Sequence, residues 1–209
     1  MRPVRLRFLV ASGPTQEPID PVRFITNHST GVMGRSIVDA AKKRGHRVEW
    51  VECPKRVQTA LELEKLLKQL TPKSDVLVMA AAVADVRPAG FSGAKIKKEK
   101  LKTVRLIKNP DVLAGLSRKK KRGQVFIGFG LESGNLVRNG QKKMRKKGLE
   151  LIVLQKVTQT DRPFGDRAVD ASLLSADGNV EKHRSISKRG LAGVLVRRAE
   201  ALYAAKNSR

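Results

Sequence analysis

The chain has 209 residues, of which 40% are hydrophobic and 30% charged, a balance that excludes both a disordered chain and a membrane-embedded one. Its 44 Lys and Arg against 19 Asp and Glu leave a net charge of +25, which points to a substrate or partner bearing phosphates. The single cysteine, Cys53, excludes an internal disulfide and a cysteine-rich zinc site, and fits a reducing cytoplasm.

Residues 5–11 are apolar and β-prone and predict a first strand. Gly13 and Pro14 follow at once, so this start reads as a strand rather than as a signal peptide. A stretch rich in Gly, Pro, Asp and Asn covers 12–31. Residues 32–44 place Met33, Ile37, Ala40 and Ala41 at helical spacing and stop at Gly45. A strand is predicted over 47–52 and a leucine-rich helix over 59–70. The run DVLVMAAA at 75–82 is continuously apolar, as a strand buried on both faces requires. A long basic loop covers 84–102. A helix over 110–121, a strand over 124–130, a helix over 136–147 and a strand over 149–154 come next. Segments 171–175 and 180–184 flank Asp177-Gly178, a hairpin signal. A closing helix spans 187–206 with Ser187 as its N-cap. Strands alternating with helices predict an α/β fold: three-layer, Rossmann-like, a mostly parallel sheet with a C-terminal antiparallel hairpin, in one domain over 1–209. No apolar run approaches the roughly 20 residues of a spanning helix.

Ligands of such sheets bind beyond the C-terminal ends of the strands, where the loops after the first and third strands carry the most functional groups. The first, ASGPTQEPIDPVRFITNHSTGVMG, turns through glycine toward a helix N-terminus, an arrangement suited to a phosphate. Gly13, Thr15, Asp20, Ser29 and Gly31 are its candidate phosphate or substrate residues. Arg23, Asn27 and His28 add more polar functionality than a connection needs. The dinucleotide fingerprint G-x-G-x-x-G is absent. In AAAVADVRPAG, the small residues around Ala81 leave room for a ligand plane. Asp85 there either accepts a hydrogen bond from a base or sugar or caps a turn. Lys95 opens Lys-Ile-Lys-Lys on a Gly-flanked loop, placed to meet a polyphosphate as a point charge, or else simply solvated. Lys108-Asn109-Pro110-Asp111 opens a helix, with Asn109 as N-cap and Pro110 as first helical residue. GFGLES contributes Phe129, and Lys142 and Lys146, at i and i+4, share a helix face.

Taken in register, these segments resemble the synthetase part of the bacterial Dfp flavoprotein family, the phosphopantothenoylcysteine synthetases of CoaB type. The family pattern runs from a glycine turn through ExIDPVRxIxNxSxGxMG, AAAVADxRP, KIKK, KNPD and GFxxE to a lysine-bearing helix, and it covers nearly the whole chain. The resemblance implies a ligase of coenzyme A biosynthesis that condenses 4′-phosphopantothenate with cysteine through an acyl-cytidylate, with CTP as co-substrate and Mg²⁺. It assigns Asn27, Lys95 and Arg23 to catalysis. It assigns nucleotide contacts to Ala81, Asp85, Lys95, Lys108, Asn109, Pro110, Asp111, Phe129, Lys142 and Lys146; the sequence names no metal ligand. It further implies a homodimer in which part of one subunit covers the other's site, and it admits a separate decarboxylase as a partner. No flavin is expected, because the decarboxylase part of the bifunctional members does not precede this one. The chain departs from the pattern at Gly13-Pro14, where a glycine pair is usual, at GFGLES, and at Leu154-Gln155, where an alanine-asparagine pair is usual. The link from Val51 to Thr59 is also short.

Two other readings compete. A basic nucleic-acid-binding protein on an α/β scaffold accounts for the charge, but leaves the 20–27 loop and the AAAVAD segment without a purpose. Nucleic acid is accordingly expected to bind only non-specifically. A nucleotide-sugar or NAD(P) enzyme lacks its fingerprint here.

Overall fold

The computed structural model describes residues 4–160 and 162–208. β1 (Arg7–Pro14) is buried from Phe8 to Gly13, so it lies inside a sheet with side chains packed on both faces. The chain continues through a small ribbon, β2 (Gln16–Pro18) antiparallel to β3 (Phe24–Thr26), into α1 (Val32–Lys43), then β4 (Arg47–Glu52). α2 (Ala60–Leu70) starts from a capping box: Thr59 Oγ1 accepts from Glu62 N at 3.2 Å, and Glu62 Oε2 accepts from Thr59 N at 3.1 Å. β5 (Val76–Ala82) follows. The next strands, β6 (Val86–Pro88) and β7 (Leu106–Lys108), pair antiparallel as the stem of an arm. The remainder is α3 (Val112–Ser117), β8 (Val125–Glu132), α4 (Leu136–Lys146), β9 (Leu151–Lys156), β10 (Val169–Ser175), β11 (Val180–Ile186) and α5 (Lys188–Asn207).

The main sheet has seven strands in the order β11-β10-β9-β8-β5-β1-β4. β4, β1, β5, β8 and β9 are mutually parallel, while β10 and β11 add the antiparallel hairpin. α1 and α5 cover one face, over a core that includes Phe8, Val10, Ile37, Val78 and Leu195. α2, α3 and α4 cover the other, over Leu9, Leu63, Leu67, Leu77 and Phe126. Fully burying one such side chain stabilises the fold by about 1.5–3 kcal/mol. From β1 the chain moves outward to β4 and then crosses back to β5 on β1's other side, so strand order reverses between β1 and β5. A crevice opens at the C-terminal ends of strands where the order reverses.

The predicted fold class and the C-terminal hairpin are as observed, with Gly178 taking the positive φ of the turn and Ser187 Oγ capping α5 at 3.1 Å from Gly190 N. The differences lie in the loops. The first strand extends to Pro14, because Ser12, Gly13 and Pro14 keep parallel register with Ala80, Ala81 and Ala82. The stretch expected as a loop over 12–31 contains the β2–β3 ribbon, and the loop over 84–102 is the tip of the β6–β7 arm. The helix expected over 110–121 is only Val112–Ser117. Its basic continuation has no apolar residue to bury, and Lys120 and Lys121 turn away to Glu150 and to the Pro72 carbonyl.

Candidate active site

The crevice at the strand switch is a cleft of about 470 Å³. Of the residues expected to act, Asn27, Ala81, Asp85, Asn109, Pro110, Asp111 and Phe129 line it together, from four separate stretches of chain. The walls are held by their own polar groups. Asn27 Nδ2 donates to the Ala82 carbonyl at 3.1 Å, which fixes the loop after β3 to the end of β5 and leaves the amide oxygen unclaimed by that bond. Thr15 is fully buried; its Oγ1 accepts from Ala84 N at 2.9 Å, and its carbonyl accepts from Thr26 Oγ1 at 2.8 Å. Asn109 bridges the floor, donating to the Ala84 carbonyl at 2.9 Å and accepting from Arg87 Nη1 at 3.0 Å. Asp85 is exposed at the rim.

Asp111, rather than Asn109, is the N-cap of α3: its Oδ1 accepts from Ala114 N at 3.2 Å, and Pro110 lies outside the helix. The reason is that the Asn109 amide is already committed to the 84–87 turn. Burial disfavours the Asp111 carboxylate. The Ala114 N–H and the ammonium groups of Lys147, 3.1 Å away, and Lys146 outweigh that and hold its pKa below the usual range.

Lys142 and Lys146 are exposed and line no cavity described for this site, whereas Lys147 lines the cleft and Lys143 pairs with Glu132 at 2.6 Å. Met144 is buried against the core, and of the lysines near it Lys147 reaches Asp111 while Lys143 holds Glu132. Lys108 is exposed on β7 and lines neither cavity.

The two glycines of the first loop serve close approach. At Gly13 (φ 79°) a Cβ would stand 2.0 Å from the Cys53 carbonyl oxygen, and at Gly31 (φ 73°) it would stand 3.4 Å from Gly13 Cα. They bring the start of α1 against the end of β1, with Ser29 Oγ accepting from Gly31 N at 3.4 Å. Cys53 itself is buried, and burial pushes its thiol up to about 12, so it is no nucleophile.

Asp20 is a clamp rather than a ligand. Its side chain is inaccessible, pairs with the Arg23 guanidinium, and accepts from the N–H groups of Val22, Arg23 and Ile96 at 2.9, 2.9 and 3.1 Å. The Arg23 pairing holds its carboxyl far below the usual carboxylate range. Arg23 Nη2 in turn donates to the Ile96 carbonyl at 2.7 Å. Both bonds seize the residue next to Lys95, which is exposed on the arm and lines neither cavity.

A second, smaller cavity of about 170 Å³ adjoins the cleft around Phe129, between the start of α1 and the ends of β8 and β9. Its lining includes Gln155, Phe164 and Lys188, none of them expected from sequence. Phe164 also faces His28 across the cleft, with ring centroids 6.2 Å apart. The signal for Gln155 was its departure from the alanine-asparagine pattern; Phe164 and Lys188 carry no motif. Among the described residues no three His, Cys, Asp or Glu side chains gather into a metal cage.

Comparison with known proteins places the chain in a family. The model of the DNA/pantothenate metabolism flavoprotein C-terminal domain family matches residues 4–202. The chain is 34% identical over 206 residues to the coenzyme A biosynthesis bifunctional protein CoaBC of Escherichia coli (strain K12), covering 91% of this chain and 50% of that protein. It is 37% identical over 213 residues to CoaBC of Mycobacterium tuberculosis (strain ATCC 25618 / H37Rv), covering 91% and 51%. The chain therefore spans about half the length of the curated relatives it matches. Among solved structures, the C-terminal domain of CoaBC superposes with a TM-score of 0.78 at 27% identity, covering 97% of this chain and 98% of that one. A Cab2 H337A mutant in complex with phosphopantothenate-cysteine shares the fold, with a TM-score of 0.68 at 14% identity over 98% of this chain and 89% of that one.

Proposed function

The chain belongs to the DNA/pantothenate metabolism flavoprotein C-terminal domain family, and on that premise we propose that it is a ligase of coenzyme A biosynthesis, joining 4′-phosphopantothenate to cysteine with hydrolysis of CTP to CMP and pyrophosphate. The observation that carries the reading is the cleft at the strand switch, which gathers Asn27, Asp85, Asn109, Asp111 and Phe129 around one space large enough for a nucleotide.

In the first step a carboxylate oxygen of 4′-phosphopantothenate attacks the α-phosphorus of CTP. The bond to the bridging oxygen breaks and pyrophosphate leaves, giving an acyl-cytidylate. In the second, the amine of cysteine attacks the acyl carbon, loses a proton and expels CMP, leaving the amide. Both steps are displacements that use no enzyme nucleophile and no flavin. What they ask of the protein is positioning and fixed positive charge.

Asp85 and the 108–111 turn orient the nucleoside, Phe129 forms its wall, and Lys147 meets its phosphates beside Asp111. The Asn27 amide, anchored through Nδ2 on Ala82, offers its oxygen to the acyl-nucleotide. Lys95 supplies the cation for the attacked α-phosphate. Because it is exposed and lines neither cavity of its own chain, it serves the site of a second copy, and the protein acts as a homodimer with Lys95 of the partner subunit over the cleft. With no cage of three acidic or imidazole ligands among the described residues, Mg²⁺ would arrive on the triphosphate, with Asp85, an exposed carboxylate of the cleft, to hold it. It would supply charge neutralisation for pyrophosphate departure. We place the reaction in the cytoplasm.

The test is direct. Purified chain, 4′-phosphopantothenate, cysteine and Mg²⁺ are incubated with CTP or with ATP, and the mixture is analysed by mass spectrometry and for pyrophosphate. The proposal expects the cysteine amide and an equal amount of pyrophosphate with CTP. Amide formed only with ATP corrects the nucleotide, and no amide with either overturns the reading.

A further inference from the structure

The net charge of +25 is not used up at the cleft, and part of it is sorted to the opposite edge of the sheet. β4, β1, β5 and β8 are parallel neighbours, so the segments that precede them meet at the strand ends away from the cleft. Phe8, Val76 and Val125 stand in register across β1, β5 and β8. Arg5, Lys73 and Arg122 each lie three residues ahead of one of them. Arg47, at the start of the outermost strand, pairs in register with Arg7 and extends the row on one side. Arg118 and Lys119 share the connection of Arg122 on the other. The two central connections are tied together: Lys121 Nζ donates to the Pro72 carbonyl at 3.0 Å, and Gln124 Nε2 donates to the Thr71 and Ser74 carbonyls at 2.8 and 2.6 Å. The fold itself therefore holds the row in place.

The acids of this edge are already taken. Asp75 holds Arg7, Glu150 holds Lys120 and Lys206, and Glu49, in the groove that Arg47 and Lys73 also line, holds Arg56. Arg5, Arg47, Lys73, Arg118, Lys119 and Arg122 are all exposed, and none has an acidic partner among the described residues. Like charges gathered without counter-charge repel one another, and a polyanion laid across them relieves that repulsion. Neighbouring strands about 4.8 Å apart spread the row from β4 to β8 over about 14 Å. A nucleic-acid duplex carries one phosphate charge per about 1.7 Å of its axis, so several phosphates can face the row at once. A protein partner would ask for an apolar centre to its interface. The exposed hydrophobics Phe91, Leu106 and Ile107 are on the arm instead, and of the large ones described Val4 alone adjoins this row. The exposed aromatic rings among the described residues, Phe24 and Phe91, are on the ribbon and the arm, so bases find no stacking platform here. What the edge offers is cations, and what they match is a phosphate backbone.

We propose that this edge docks the phosphate backbone of a nucleic acid, RNA or DNA, without regard to base sequence. It lies at the ends of the strands opposite the cleft, so a docked duplex leaves the cleft open. The assignment does not depend on the ligase reading.

The experiment is fluorescence anisotropy with labelled RNA and DNA duplexes of scrambled sequence, at about 150 mM salt and over a salt series. Three proteins are compared: the wild type, a Lys73→Gln/Lys119→Gln/Arg122→Gln variant of the edge, and a Lys98→Gln/Lys100→Gln/Lys102→Gln variant of the arm. Both variants lose the same charge, and all six side chains are exposed without a bond among the described residues, so melting temperatures should match the wild type. We expect the edge variant to bind about tenfold or more weakly, with the slope of log affinity against log salt shallower by about one for each residue removed. The arm variant should stay near the wild type. Tighter binding of one duplex names the source of the backbone. Equal losses in the two variants would mean that net charge binds and the edge does not, which overturns the site. Absence of binding in the wild type at that salt overturns it as well. Polyglutamate that displaces the duplexes at equal charge concentration assigns the edge to an acidic protein and overturns the choice of nucleic acid.

Discussion

The cleft wall and the arm, two regions a few residues apart in sequence, are built by opposite means. In the wall, polar side chains are spent on one another: Thr15 on Ala84, Asn27 on Ala82, Asn109 on Ala84 and Arg87, Asp111 on Ala114 and Lys147. The geometry there is complete within one protomer, before any ligand binds. The arm over 84–108 is tied down at few points, chiefly the Asp20–Arg23 clamp on Ile96 and the bond from Ser92 N to the Ile19 carbonyl at 3.1 Å. It exposes Phe91, Leu106 and Ile107 beside a row of lysines, and the neighbouring ribbon exposes Phe24. Apolar surface of that kind next to a functional loop marks a place for another surface. The contrast teaches that one region sets its geometry with its own hydrogen bonds while the other leaves its lysines and apolar side chains exposed; on the proposed reading, a partner subunit orders the second.

Losing the arm's cation should have the largest effect. Lys95→Ala is expected to lower pyrophosphate release from CTP and 4′-phosphopantothenate by about 10²–10³, with cysteine present or absent. Asn27→Asp, on the wall, should leave that release largely intact. It should let acyl-cytidylate accumulate in quenched samples, because a second negative charge opposes turnover of an anionic intermediate. Wild-type pyrophosphate release and amide formation in both variants would remove both residues from the mechanism.

A smaller effect is expected from the clamp between the regions. Asp20→Asn removes the carboxylate that holds Arg23 and Ile96 while leaving the wall untouched. Activity should fall by about tenfold to a hundredfold through misplacement of Lys95. CTP affinity, measured by calorimetry, should stay near wild type. Equal losses in both would mean that Asp20 supports the wall as well.

The smallest effect is on acid stability. Glu150 is half-buried. Burial disfavours its charge, but the ammonium groups of Lys120 and Lys206 and the Phe126 N–H outweigh that and lower its pKa, as Lys143 does for Glu132. A depressed carboxyl contributes stability that is fully present above the unfolded value, near 4, and is lost as pH falls through the lower folded value. Melting temperature should therefore be flat between pH 7 and about 5 and decline below about 4. Glu150→Gln should lower the plateau and flatten the decline, and an unchanged acid limb in that variant would contradict the assignment.

Much of this was legible in the sequence, for physical reasons that differ by region. The sheet was readable because Arg7–Pro14 and Val76–Ala82 must bury both faces, which leaves a continuous apolar signature. Wall residues such as Asn27 and Asp85 were readable because polar groups crowd at strand ends without a packing purpose. The β2–β3 and β6–β7 ribbons were not, since three-residue strands leave no alternation to detect. Which α4 lysines border the cleft was not legible, because five basic residues between 142 and 147 satisfy several i, i+4 registers. Lys188 reads from sequence as one more surface lysine at a helix start, and only the three-dimensional fold buries it.

The most direct test of the central claim, that wall and arm of a working site come from different subunits, is complementation. Lys95→Ala and Asn27→Asp chains, each nearly inactive alone in amide formation, are co-expressed with two different tags and purified as the heterodimer. If the site is shared, one of its two clefts combines an intact Asn27 with an intact Lys95 of the partner subunit, and amide formation returns. If every cleft uses its own Lys95, each carries one lesion and the heterodimer stays as inactive as its parents, which would contradict the account.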